Sequence, residues 1–219
     1  MSPLAAWTSF VLAFASLSYA VRFTEGKPSK DILYQWSTVA NQLIQYAIIG
    51  LIVYAIAGLG NRRQLFALRR PTSWWVALGL GVAIGIGMAL LTAALGPLLH
   101  PGREQGVTPD VWEPKHAAAY VVNGVVICIV APIVEELTFR GLGYSLLVRF
   151  GKWTAIVLVG VAFGLAHGLV DALPPLVVFG MCLAYLRSRT ASVYPGMILH
   201  AGYNSLVLLF AVNFFRAGH

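Results

Sequence analysis

Apolar runs of roughly membrane-spanning length follow one another from Pro3 to Phe215, and most charged residues fall in the gaps between them. That pattern is the strongest constraint on the fold. A bilayer core holds no water to satisfy backbone N–H and C=O groups, so each run must satisfy its own, and helices do so within one segment. Composition agrees: 58% of residues are hydrophobic and 11% are charged. Soluble domains carry about a quarter charged residues. A water-soluble enzyme, a disordered chain, a collagen and a disulfide-stapled miniprotein are all excluded. The expected fold is an all-α polytopic transmembrane helical bundle.

The net charge of +7 sits in the gaps between apolar runs, as membrane topology demands, so nucleic acid is not an expected partner. Cys128 and Cys182 lie far apart inside apolar runs with no CxxC, and read as packing residues.

Seven spans are expected, with approximate limits Pro3–Val21, Thr38–Gly60, Trp74–Leu99, Ala117–Phe150, Trp153–Leu169, Leu173–Leu186 and Val193–Phe215. No Lys or Arg precedes the first run, so it is expected to stay uncleaved despite the signal-like Ser18-Tyr19-Ala20. The prolines from Pro97 to Pro114 mark an external loop from Gly96 to His116. If spans alternate, Arg62, Arg63, Arg69, Arg70, Arg149, Lys152, Arg187 and Arg189 share one side, a Lys/Arg excess of 8 to 6. The dense arginine block places the N-terminus in the cytoplasm. His100, His116 and His219 read as solvated.

Ionisable groups at membrane depth are costly, and their default reading is functional. Glu135, Glu136, His167 and His200 break the pattern, accompanied by Arg140 and Asn204. Adjacent glutamates on a helix point about 100° apart, so they take different roles. Glu136 and Arg140 stack on one face and can pair, although Arg140 could instead snorkel to the interface. Glu135 has no partner one turn on, which leaves it free to act as a base. Pro132 is expected to kink the helix just before it. Glu135 lies sixteen residues before Gly151 and His167 sixteen after it, so an antiparallel hairpin brings the two to one depth. His200 and Asn204 share a face of the last span, and Phe163 and His167 share one of the fifth. Phe163 reads as packing near the site. Asn204 serves equally well in helix packing or in catalysis.

Glu135-Glu136-x-x-x-Arg140, Phe163-x-x-x-His167 and His200-x-x-x-Asn204 resemble, in order, the three-part signature of the CPBP (Abi) intramembrane proteases, which include the Rce1-type CAAX prenyl endopeptidases. The resemblance covers residues 117–215, spans four to seven. Residues 1–116 carry no matching motif. It implies an endopeptidase that hydrolyses a peptide bond in or near the membrane, in CAAX-type, C-terminal tail or signal processing. Glu135 and His167 would activate a water, His200 and Asn204 would form the oxyanion hole, and Glu136 and Arg140 would hold the site together. The implied partners are a membrane-associated peptide or protein substrate and the bilayer.

Zinc is left open. One carboxylate and two histidines could ligate it, but there is no HExxH and no histidine pair four residues apart. The reading adopted is metal-free. Seven compact spans without further domains fit a prokaryotic inner membrane. Two alternatives carry less of the pattern: a non-catalytic scaffold or bacteriocin-immunity protein on the same fold, and a proton-coupled transporter, against which no inverted repeat is visible.

Overall fold

The computed structural model describes residues 1–26, 28–29, 31–58, 61–99, 104 and 113–216, with side chains as far as 210. His100 and His219, most of the external loop, and the basic residues Lys27, Lys30 and Arg103 lie outside the described residues. Among the described residues the secondary structure is helical, without strands. The helices are α1 Pro3–Glu25, α2 Trp36–Ala57, the short α3 Arg62–Leu65, α4 Trp74–Leu99, the long α5 Pro114–Phe150, α6 Lys152–Ala166, α7 Leu173–Thr190 and α8 Tyr194–Arg216. By length and composition α1, α2, α4 and α5 can cross a membrane, and α6 is a shorter apolar helix. Side chains such as Leu78, Ile86 and Leu90 on α4 face outward. Lipid satisfies such a surface and water does not. The chain is an integral membrane protein of all-α architecture.

One core joins the motif-free N-terminal helices to the motif-bearing ones. Trp7 and Val11 of α1 and Ile49 and Val53 of α2 pack with Leu142, Phe163 and Leu183. The Trp7 indole N–H donates to the Thr138 carbonyl at 3.0 Å, and its ring lies where a side chain at Gly143 would be. Helices α6 and α7 cross at glycines. A Cβ at Gly180 would lie 2.9 Å from Gly160 Cα, so the backbones meet only because neither residue has one. This crossing fixes the face of α6 that carries Phe163 and His167.

At Pro132, where a kink is expected, the helix changes its hydrogen-bonding pattern. Helix α5 runs unbroken through the proline, with π-helical segments at Val126–Val130 and Leu137–Gly143 on either side of Ala131–Glu136. A proline ring clashes with the carbonyl four residues back, and the wider π turn relieves that clash. The two wide turns also set the direction in which Glu135 and Glu136 project.

At the far end of α6, Gly168 adopts φ +63° and abuts the Ser18 backbone, where a side chain would collide. The following turn is held by Glu104, a buried carboxylate. Its oxygens accept from the Val170 N–H at 2.9 Å, the Ala172 N–H at 3.0 Å and Arg22 Nη2 at 3.1 Å. Burial acts to raise its pKa, but the Val170, Ala172 and Arg22 hydrogen bonds outweigh burial and hold it below the ordinary value. A lowered folded-state pKa gives stability that is complete above the unfolded value, about 4.3, and is lost as pH falls through the folded one. Thermal unfolding in detergent should therefore show Tm falling below roughly pH 4. Glu104→Gln should lower Tm at neutral pH and flatten that acid limb. An unchanged limb would show that Glu104 does not carry it.

Candidate active site

Three helices bring the motif residues together. Glu135 and Glu136 project from the α-helical turn between the two π segments of α5, His167 follows the last turn of α6, and His200 lies on α8. Glu135 Oε2 faces His167 Nε2 at 3.9 Å and His200 Nε2 at 3.8 Å. The equal spacing about Gly151 thus corresponds to a real juxtaposition. Side-chain exposure separates the residues into two tiers: Glu135 and His167 are 15% and 26% exposed, while Glu136 is fully buried.

The buried tier is built around an ion pair. Arg140 Nη1 lies 3.0 Å from Glu136 Oε1, with both side chains fully buried, so Arg140 does not snorkel. Arg140 Nη2 donates to the Gly180 carbonyl at 3.1 Å, and the guanidinium sits 4.2 Å from the centre of the Phe163 ring. Glu136 Oε1 also faces His200 Nδ1 at 3.4 Å. Gly196, in the first turn of α8, lies against Glu136 Oε2 and leaves no room for a side chain. Phe163 is fully buried and meets the rings of His167 and His200 edge to face at centroid distances of 4.6 and 5.7 Å. Phe179, which the motifs do not include, flanks His200 at 5.3 Å.

Hydrogen bonding fixes the protonation pattern of His167. Its Nδ1 lies 2.7 Å from the Phe163 carbonyl, an acceptor only, so Nδ1 carries the hydrogen. In the neutral ring, Nε2 then offers a lone pair toward Glu135 Oε2, itself an acceptor. Two acceptors 3.9 Å apart do not bond directly, but one water can donate to both.

Asn204 satisfies an acceptor that Pro132 leaves open. The Ala131 N–H reaches back five residues to the Val126 carbonyl. The next such bond would run from residue 132 to Ile127, but proline has no N–H. Asn204 Nδ2 donates to the Ile127 carbonyl instead, at 2.9 Å. Its amide has a second N–H to offer.

Sequence reasoning missed Tyr46. Its hydroxyl donates to Glu135 Oε1 at 3.0 Å from α2, so Glu135 does have a partner, on a different helix. The cluster of amides at Asn41, Gln42 and Gln45 beside Tyr46, inside an apolar span, was the available signal. Gln45 and Tyr46 join Phe10 and Phe14 of α1 in walling a cavity of about 180 Å³ onto which Glu135 and His167 open. The cavity is lined largely by apolar side chains.

Among the described residues, no group of three or more His, Cys, Asp and Glu side chains is arranged to hold a metal ion.

Residues 117–206 match the family model described as type II CAAX prenyl endopeptidase Rce1-like. The matched stretch contains all three motif blocks. The similarity to that family rests on this stretch, 90 of the chain's 219 residues. No curated protein and no solved structure matches the chain.

Replacing Asn204 by Ala should leave the Ile127 carbonyl without its partner and cost about 1–3 kcal/mol of stability. Unfolding in a neutral detergent measures this, and an unchanged midpoint would show that the contact carries no stability.

Proposed function

With an Rce1-like segment as premise, we propose that the chain is a glutamate-type intramembrane endopeptidase acting through a water shared by Glu135 and His167. The observation that carries this reading is the pair of facing acceptors, Glu135 Oε2 and His167 Nε2, beside a cavity. Glu135 takes a proton from the water as its oxygen attacks the scissile carbonyl carbon. His167, its tautomer set by the Phe163 carbonyl, holds the same water in line. The carbonyl oxygen becomes an oxyanion, stabilised by His200 Nε2–H and the second N–H of Asn204. For His200 to donate there while also donating from Nδ1 to Glu136, both ring nitrogens carry hydrogen. Glu135 then delivers its proton to the amide nitrogen, the C–N bond breaks, and the new carboxylic acid passes its proton to the leaving amine, giving a carboxylate and an ammonium.

Tyr46 orients Glu135 by occupying Oε1, which directs Oε2 to the water. Glu136, Arg140 and Phe163 keep the imidazoles in place. No metal takes part in this scheme. The substrate is a membrane-associated peptide or protein, in CAAX-type, C-terminal tail or signal processing, and the apolar cavity between α1 and α2 suits a segment arriving from the bilayer. The protein resides in the inner membrane of a prokaryote, N-terminus inward.

The test compares peptides released from a membrane proteome by reconstituted wild type and Glu135→Gln. Specific C-terminal or juxtamembrane peptides should appear with wild type and fall about 10²–10⁴-fold in the variant. A metal chelator should leave the wild-type products unchanged. If folded Glu135→Gln releases the same peptides, Glu135 is not the base. If neither protein releases any, the non-catalytic scaffold takes its place.

A further inference from the structure

At the end of the bundle where α5 turns into α6, a second pocket of about 390 Å³ opens, lined by Asn61, Gln64, Arg69, Tyr144, Ser145 and Arg187 among others. The catalytic residues take no part in it. Arg187, in the last turn of α7, is 7% exposed, and its Nε is buried without a hydrogen-bond partner. Its guanidinium lies 5.3 Å from the centre of the Tyr144 ring. The charge beside it is Arg69, of the same sign. No Asp or Glu occurs in 61–74, 141–153 or 184–194, the stretches that build this end. A buried cation without an anion is strongly unfavourable, and this one has a like charge as neighbour. The chain offers no local carboxylate to neutralise it.

The pocket is held open by a fixed frame. Arg69 Nε donates to the Ala191 carbonyl at 2.6 Å, the Thr72 N–H to the Thr190 carbonyl at 2.9 Å and the Val193 N–H to the Ala67 carbonyl at 3.2 Å. These bonds tie the loop after α3 to the loop after α7. With its Nε occupied, Arg69 keeps its terminal nitrogens for a ligand.

Aromatic side chains give the depth of the pocket. Trp74, Trp75 and Trp153 are exposed at this same end, and such rings settle at the headgroup level of a bilayer. The anion present there is the lipid phosphate, and basic pockets between spans bind anionic headgroups. Guanidinium forks match phosphate oxygens in pairs.

We propose that Arg69 and Arg187 form a binding site for the phosphate of an anionic phospholipid headgroup. The full chain in a neutral detergent tests this, with unfolding followed against added phosphatidylglycerol, phosphatidylcholine and inorganic phosphate. Phosphatidylglycerol should raise the Tm of wild type saturably, and phosphatidylcholine should do so less, because its choline cation meets the arginines. In Arg187→Gln the half-saturating phosphatidylglycerol concentration should rise about tenfold or more, the loss expected for one charged hydrogen bond. Without lipid, this variant should be at least as stable as wild type, because it loses an uncompensated buried charge. If it does not fold, the exposed Arg69→Gln carries the same comparison. A saturable response to inorganic phosphate equal to that for the lipid would overturn the headgroup as source, leaving a site for soluble phosphate. Equal phosphatidylglycerol responses in wild type and both variants would overturn the site itself.

Discussion

The ion pair between Glu136 and Arg140 is the contact on which four helices depend. Both residues sit on α5, but the pair reaches outward in three directions. Arg140 holds the Gly180 carbonyl of α7 and lies over Phe163 of α6, and Glu136 faces His200 and Gly196 of α8. Buried pairs often contribute little net stability, because desolvation offsets the attraction. Breaking one is another matter, since the remaining charge is left without a partner. The value of this pair lies in geometry: it fixes the position of His200 and the face of Phe163 against which both imidazoles rest.

A second constraint comes from one missing hydrogen. Pro132 cannot donate, so α5 widens into a π turn and the Ile127 carbonyl turns to Asn204 on α8. The imperfection in α5 is thereby converted into an interhelical contact beside Glu135. π turns recur at functional sites because they redirect side chains without ending the helix. Here two of them bracket the single turn that carries both glutamates. Glycines complete the arrangement: Gly143 admits Trp7, and Gly160 and Gly180 let α6 and α7 touch.

Much of this was legible in the sequence because it is local or nearly so. Hydropathy gave the helical membrane architecture. Four-residue spacing gave the Glu136–Arg140 pair, and the equal arms about Gly151 gave the approach of Glu135 to His167. Contacts between distant helices were not legible. Tyr46 is 89 residues from Glu135, and no periodicity within either helix announces the bond. Glu104 falls within the expected external loop, yet it is buried and organises the turn after His167, because Arg22 and two backbone N–H groups converge on it. Pro132 was legible as a disturbance of α5, but the partner on another helix that takes the freed carbonyl was not. The N-terminal helices carry no motif, and only tertiary packing reveals that they wall the cavity.

The central claim is that Glu135 and His167 act on one water. A double-mutant comparison of cleavage rates measures this most directly, using Glu135→Gln, His167→Gln and both together on a substrate peptide released by wild type. Residues that serve a single step as a unit are strongly non-additive. The account predicts that the double variant is about as slow as the slower single variant. Losses that multiply, each substitution costing its full factor on top of the other, would contradict a shared water and assign the two residues to separate steps.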